Sequence, residues 1–286
     1  MCARAERATE AINRRRGTGG GVATGLALAC VTSLLVPAGA AAKVSCSYVE
    51  AGAPGPAGNV LSIAASTEEV DAAAITRSGD RIAVSDDRTL TPVHCAGDTP
   101  TVTNVDTIAF AGETGTALAI DERQGSFAPG ATDEVGGGPE IEFQIDWDDG
   151  FLAVNGAQQG NAFEFGAMPG QLGLDLNAGL GAPDVDAALG SVAFVVARGG
   201  DGRDTLTAKG GAGFAGPFAS DVAFEGKGGR DRLIGGPLED DLNGGKGRDR
   251  IDARDDNRDT VHCGGGKDHV KADRRDKLAG CERVKR

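Results

Sequence analysis

Seven aspartates in the last third of this 286-residue chain keep step with an aliphatic residue. Two positions after Asp204, Asp231, Asp240, Asp249, Asp259, Asp268 and Asp276 stand Leu206, Leu233, Leu242, Ile251, Val261, Val270 and Leu278. From Asp231 onward the intervals are nine, nine, ten, nine and eight residues. A Gly/Asp-rich linker has no reason to hold an apolar residue in phase with an acidic one. A chain that does so has a fixed inside and outside at every repeat. Two copies are complete, GGDGRDTLT at 199–207 and GGKGRDRID at 244–252. Those that start at Gly226, Gly235 and Cys263 are degraded, and the copy at Gly210-Gly211 has Ala215 where the aspartate belongs.

Nine residues hold one tight turn and one short strand, so two units complete one coil. Glycine allows positive φ in the turn and leaves its carbonyl oxygens accessible. Calcium takes about 6–8 oxygens at roughly 2.3–2.6 Å, from carboxylates and backbone carbonyls. Coils stacked ~4.8 Å apart, like any paired strands, bring the oxygens of successive turns together. Alternate units share a side, which predicts one column of Asp231, Asp249 and Asp268 and another of Asp240, Asp259 and Asp276. The expected carboxylate ligands are Asp204, Asp231, Asp240, Asp249, Asp259 and Asp268, with Gly199, Gly202, Gly226, Gly229, Gly235, Gly244 and Gly247 forming the turns. Arg203, Arg230, Arg248, Arg258 and Lys267 each precede an aspartate. A cation there weakens a divalent site or partly replaces the ion. Asp255-x-Asn257-x-Asp259 has the start of an EF-hand loop, but Gly266 stands where its closing glutamate belongs.

The pattern GGxGxDxUx resembles the calcium-binding nonapeptide repeat of secreted RTX (haemolysin-type) proteins of high-GC bacteria. The resemblance is strong over residues 197–286 and faint over 100–196. It implies a right-handed parallel β-helix or β-roll that takes Ca2+ as its cofactor. RTX toxins and proteases usually carry a C-terminal export signal, whereas the signal expected here is N-terminal, so the resemblance does not extend to toxin activity.

That signal is read from Arg14-Arg15-Arg16, an apolar stretch at 22–36, Pro37 and Ala40-Ala41-Ala42, which together predict secretory cleavage after Ala42. The apolar run is shorter than the ~20 residues of a membrane span, so a secreted, extracellular chain without a membrane span is expected. Cys46, Cys95, Cys263 and Cys281 remain after cleavage. Four cysteines allow three pairings; proximity favours Cys46–Cys95 and Cys263–Cys281. Zinc ligation is the rival, but there is no CxxC and the two halves lie far apart.

From about residue 60 to 196, apolar and polar residues alternate in short stretches. Examples are Ile82/Val84, Ile108/Phe110, Leu118/Ile120, Ile141/Phe143/Ile145, Leu172/Leu174/Leu176 and Val192/Phe194/Val196. Period two predicts half-buried strands, and residues 68–74 are the one stretch read as a short helix. Residues 51–58 and 129–139 read as Pro/Gly-rich loops. The fold class expected is all-β: a parallel β-helix or β-roll solenoid over 197–286, preceded by an acidic short-strand region over 43–196.

Residues 43–196 carry five basic and twenty-three acidic side chains, which argues against nucleic acid or anionic membrane as a partner of that region. Residues 197–250 balance at nine each, and 251–286 hold ten basic against eight acidic. Because the basic residues alternate with aspartates, this part reads as a self-paired solvated surface. HExxH and GxSxG are absent. Asp146, Asp148 and Asp149 beside Trp147 are the one arrangement that suits sugar cleavage. The leading expectation is a monomeric, secreted calcium-binding structural or binding module. The alternative is a polysaccharide-active enzyme on a β-helix. An extracellular polysaccharide or cell-surface component is the partner class, with any binding face expected before residue 197.

Overall fold

The computed structural model describes residues 44–49, 59–66, 72–87, 89–127, 141–178, 185–211 and 213–286. The expected signal and the two Pro/Gly-rich loops lie outside them. Among the described residues every regular element is a strand, and the strands form two sheets of 14 and 12. One continuous cluster of buried apolar side chains draws on both sheets.

The Asp/aliphatic phase explains how the last third is built. In one sheet Thr205–Thr207, Arg232–Ile234, Arg250–Ala253, His269–Ala272 and Arg283–Lys285 lie side by side, all parallel. In the other, Val192–Gly202, Asp221–Gly229, Asp241–Asn243, Thr260–His262 and Lys277–Ala279 do the same. Successive strands pass from one sheet to the other, so each aliphatic residue pairs with its counterpart two repeats on. Leu206, Leu233, Ile251, Val270 and Val284 form one register, and Phe224, Leu242, Val261 and Leu278 form the other. Leu206, Leu233, Leu242 and Val261 are wholly buried. The copy with Ala215 instead of aspartate belongs to an excursion between Thr207 and Asp221. There Gly216–Pro217 pairs antiparallel with Ala162–Met168, and Phe218 packs edge-on against Phe165.

The preceding region is mixed. Val60–Ala65, Thr107–Gly112 and Glu142–Asp146 run parallel, as do Ala72–Ser78, Ala117–Asp121 and Gly150–Asn155. Antiparallel neighbours interrupt them at Ser45–Val49, Arg81–Asp86 and Gln171–Asp175. Two expectations are corrected here. Ala72–Ala74, read as part of a helix, begin a strand, because pairing with Ala117–Ala119 overrides the helical preference of alanine. Val196 is only half-buried and Val195 faces the core instead, because the pairing slips by one residue near Phe194. Both disulfides form as expected, Cys46–Cys95 and Cys263–Cys281. The strand Val192–Gly202 runs through positions 196 and 197, so both regions share the same sheets. No helix among the described residues is long and apolar enough to cross a membrane.

Candidate metal centre

Each repeat aspartate follows a turn and precedes a strand, so the pleat that sends the aliphatic residue inward sends the aspartate inward too. Asp204, Asp240, Asp249, Asp259 and Asp268 are 0% exposed and Asp231 is 1% exposed. A buried charge is costly unless it is paired and hydrogen-bonded. Here one oxygen of each carboxylate is satisfied by a backbone N–H from another repeat or strand. The N–H of Asn161 donates to Asp204 Oδ1 (2.7 Å), that of Asp204 to Asp231 (2.9 Å), that of Asp231 to Asp249 (2.9 Å) and that of Asp249 to Asp268 (2.8 Å). Along the other side the N–H of Val222 donates to Asp240 Oδ1 (3.1 Å), that of Asp240 to Asp259 (2.8 Å) and that of Asp259 to Asp276 (3.1 Å). The six expected ligands therefore fall into two columns, four in one and two in the other.

The second oxygen is treated differently. Oδ2 of Asp204, Asp231, Asp249, Asp259 and Asp268 is buried without any hydrogen-bond partner. An unmet buried acceptor costs about 1–3 kcal/mol, and more when charged. Burial is the main cause that pushes the carboxyls of Asp204, Asp231, Asp249 and Asp259 upward from their ordinary 3.8. Asp231 rises to about 7 and Asp259 to about 8, with the neighbouring aspartates adding to the shift. Asp204 and Asp249 are raised for the same chief reason.

Glycines make room for these oxygens. A Cβ on Gly199, Gly226, Gly235 or Gly244 would lie 2.3–2.7 Å from Oδ2 of its own repeat's aspartate. At Gly226 it would also lie 2.6 Å from the carbonyl oxygen of Gly244, and at Gly244 2.6 Å from that of Cys263. At these two turns a carboxylate oxygen and a carbonyl oxygen of another repeat thus meet at one small notch. Gly202, Gly229 and Gly247 stack on one another with φ of 119°, 142° and 139°. A Cβ on Gly229 or Gly247 would sit 1.4–1.5 Å from the carbonyl oxygen below. Lys227, which replaces a glycine of the pattern, is held at φ 72°.

Three participants are not evident from the repeat alone. Asn161 heads the first column: its side-chain amide reaches Asp204 Oδ1 at 3.2 Å and the Gly199 carbonyl at 2.8 Å. Its signal was present, since Gly156 stands five residues before it and Phe163 two after, in register with Leu206. Glu282 closes the same column by accepting the N–H of Asp268 at 3.0 Å, and that bond holds its carboxyl below the usual range. Asp255 is the third. Carboxylate oxygens of Asp240, Asp255 and Asp259 lie within 4.8 Å of one another, and Asp255 Oδ2 is buried without a partner. Asp255 sits in the turn where the pattern's two glycines give way to Arg254 and Asp255 and the spacing stretches to ten. The N–H groups of Asp255 and Asp256 both donate to Asp273 Oδ2, and Asp256 takes φ 70° as a glycine would. The donor set is oxygen only, which suits a hard cation such as calcium rather than zinc.

The acidic group around Trp147 is built otherwise. Trp147 is buried, packed edge-on against Phe110 with ring centroids 5.4 Å apart and seated over Gly150. It offers no open ring face on which a sugar could stack. Comparison with protein-family models, curated proteins and solved structures finds no match to this chain.

Proposed function

We propose that this chain is a calcium-stabilised repeat protein of the RTX type, exported and used as a structural or binding module rather than for turnover. On this reading the strands that alternate between sheets over residues 197–286 are the coils of a parallel solenoid. The observation that carries the proposal is the pair of buried aspartate columns, in which one oxygen of each carboxylate is occupied by a backbone N–H and Oδ2 of five of them has no partner. Two fillers relieve such an oxygen, a proton or a cation. A divalent cation relieves several at once and cancels the repulsion along the column.

Asp204, Asp231, Asp249 and Asp268 would hold ions on one side, with the carbonyls of Gly244 and Cys263 among the other donors. Asp240, Asp255 and Asp259 would hold one on the other side. The two disulfides support export, since such bonds persist in oxidising compartments. The test is calorimetric titration of the chain from residue 43 onward with calcium. Saturable binding at ~10⁻⁴–10⁻³ M, the range of extracellular calcium modules, is expected together with a rise in melting temperature. Heat and melting curves unchanged by millimolar calcium would make the repeats a metal-free scaffold.

A further inference from the structure

The alternation of Arg and Asp, which in the sequence reads as self-paired charge, is sorted by the pleat into two layers. In Arg230-Asp231-Arg232, Arg248-Asp249-Arg250 and Lys267-Asp268-His269 the aspartate is buried and both flanking residues are exposed. The acid of each triplet goes to the inner column, and the residue after it goes to the outer face of the 14-stranded sheet. On that face Arg232, Arg250, His269 and Arg283 are direct register partners on successive parallel strands, and Arg283 donates a hydrogen bond to the neutral His269 ring at 3.2 Å. Arg230, Arg248 and Lys267 are exposed two residues upstream, just before each strand, so that Lys267 supplies the cation of the His269 repeat. Neighbouring strands lie ~4.8 Å apart, and like charges placed opposite one another destabilise a sheet. Among the described residues no carboxylate lies within ion-pair distance of Arg230, Arg232, Arg248 or Arg250; the ion pairs on this face are those of Asp252 with Arg254 and Lys271. The chain thus maintains a like-charge row that its own side chains leave uncompensated. The corresponding register partners of the other sheet, buried Asp241, half-buried Thr260 and exposed Lys277, carry no such row.

We propose that this row of cations is a binding site for a linear anionic polysaccharide, one that carries a carboxylate or sulfate at regular intervals along its chain. The row is one-dimensional: it runs across the strands, in the stacking direction, with a period of one cation per strand. That layout fits an extended chain of anions better than a plane of lipid headgroups. It has no aromatic residue on which the bases of a single strand would stack, and a duplex docked here would meet the strongly acidic region that shares the sheet. The face lies after residue 197, not in the acidic part where sequence reasoning looked for a partner. The proposal is separate from the calcium reading, because every buried aspartate can stay in place while it is tested.

The test uses the chain from residue 43 onward in millimolar calcium, with hyaluronan as the probe and neutral dextran as the control. Wild type should bind hyaluronan at low ionic strength, ignore dextran, and release the polymer at about 1 M salt, where the screening length falls to ~3 Å. The double variant Arg232→Gln/Arg250→Gln should bind about 30-fold more weakly, at roughly fivefold for each surface cation set against an anionic array. Its melting temperature should be unchanged or higher, because two opposed like charges are gone. Lys277→Gln, exposed on the other sheet, should bind like wild type. Equal binding by the double variant, an equal loss in Lys277→Gln, or tighter binding of duplex DNA or anionic lipid vesicles than of hyaluronan would each overturn the proposal.

Discussion

The two halves of the same pair of sheets are held together by different means. All ten phenylalanines, the one tryptophan and the one tyrosine lie at or before residue 224. There several pack edge-on or stacked, as Phe127 does on Phe143 and Phe165 on Phe224. Beyond Phe224 the inward residues are Leu233, Leu242, Ile251, Val261 and Val270, helped by Ala253, Ala272 and the Cys263–Cys281 bond. The first region has enough apolar bulk for a conventional core. The second has a thin one and fills the remaining interior with aspartates. The comparison teaches that regular parallel strands can dispense with large side chains where backbone N–H groups satisfy what replaces them. The account is therefore most exposed in the second region.

The largest effect should come from the stacked glycines. Gly247→Ala would drive a Cβ to 1.5 Å from the Gly229 carbonyl at a φ of 139°. A loss of more than about 4 kcal/mol is expected, seen as failure of the last strands to fold. Gly265→Ala, which meets no heavy atom within 4 Å, should stay within ~0.5 kcal/mol of wild type. Similar losses at both sites would mean that the turns are not stacked as described.

Next comes the pair of disulfides. Loop entropy alone assigns about 4 kcal/mol to Cys46–Cys95 and about 3 to Cys263–Cys281. The thin core should make the second matter more for local order. Cys281→Ser is expected to abolish protection of the strand Lys277–Ala279 in hydrogen exchange, while loss of the first bond leaves Thr107–Gly112 protected. The reverse pattern would break the comparison.

A change of sign is expected at Asp249. Its Oδ1 accepts the N–H of Asp231, which asparagine can also do, while its charge is what a cation needs. Asp249→Asn should lower stability by ~1–3 kcal/mol in calcium and leave it equal or higher in chelator. Asp249→Ala should be destabilised in both, because it also strands the N–H of Asp231. Melting curves of the two variants in both conditions separate the roles.

Acidity acts on the same columns without any mutation. Asp231 and Asp259 hold protons to about pH 7 and 8 in the folded chain, but only to about 3.8 when unfolded. Between those limits the folded state binds more protons, so metal-free stability falls as pH rises. In chelator the melting temperature should be higher at about pH 5 than at about pH 8. Asp252 and Glu282 are shifted the other way and are ionised in both states over this window. Calcium should reverse the order, since its ligands bind deprotonated. A pH-independent melting temperature in chelator would mean that the column carboxylates are not buried.

Much of this architecture can be read from residue phase alone. Period two marks strands such as Glu142–Asp146, and the interval from aspartate to aliphatic residue assigns Asp231 and Asp249 to one column. What escapes is whatever breaks phase or changes chemistry. Asn161 lacks the charge of the repeat, Asp255 lies in the turn that stretches the spacing to ten, and the slip near Phe194 exchanges Val195 for Val196. The cationic row was legible in principle, since a strand that buries Asp231 must turn Arg230 and Arg232 outward. Counting charge along the chain, rather than by face, concealed it.

The most direct test of the central claim is amide hydrogen exchange on the chain from residue 43 onward, in millimolar calcium and in chelator. The N–H groups of Asp204, Asp231, Asp240, Asp249 and Asp259 each donate to the carboxylate of the next aspartate in the column. The account predicts that calcium slows their exchange by at least about tenfold, the equivalent of ~1.4 kcal/mol of local stability, while Val60–Ala65 and Thr107–Gly112 exchange at the same rate in both. Equal protection of the aspartate amides with and without calcium would contradict it.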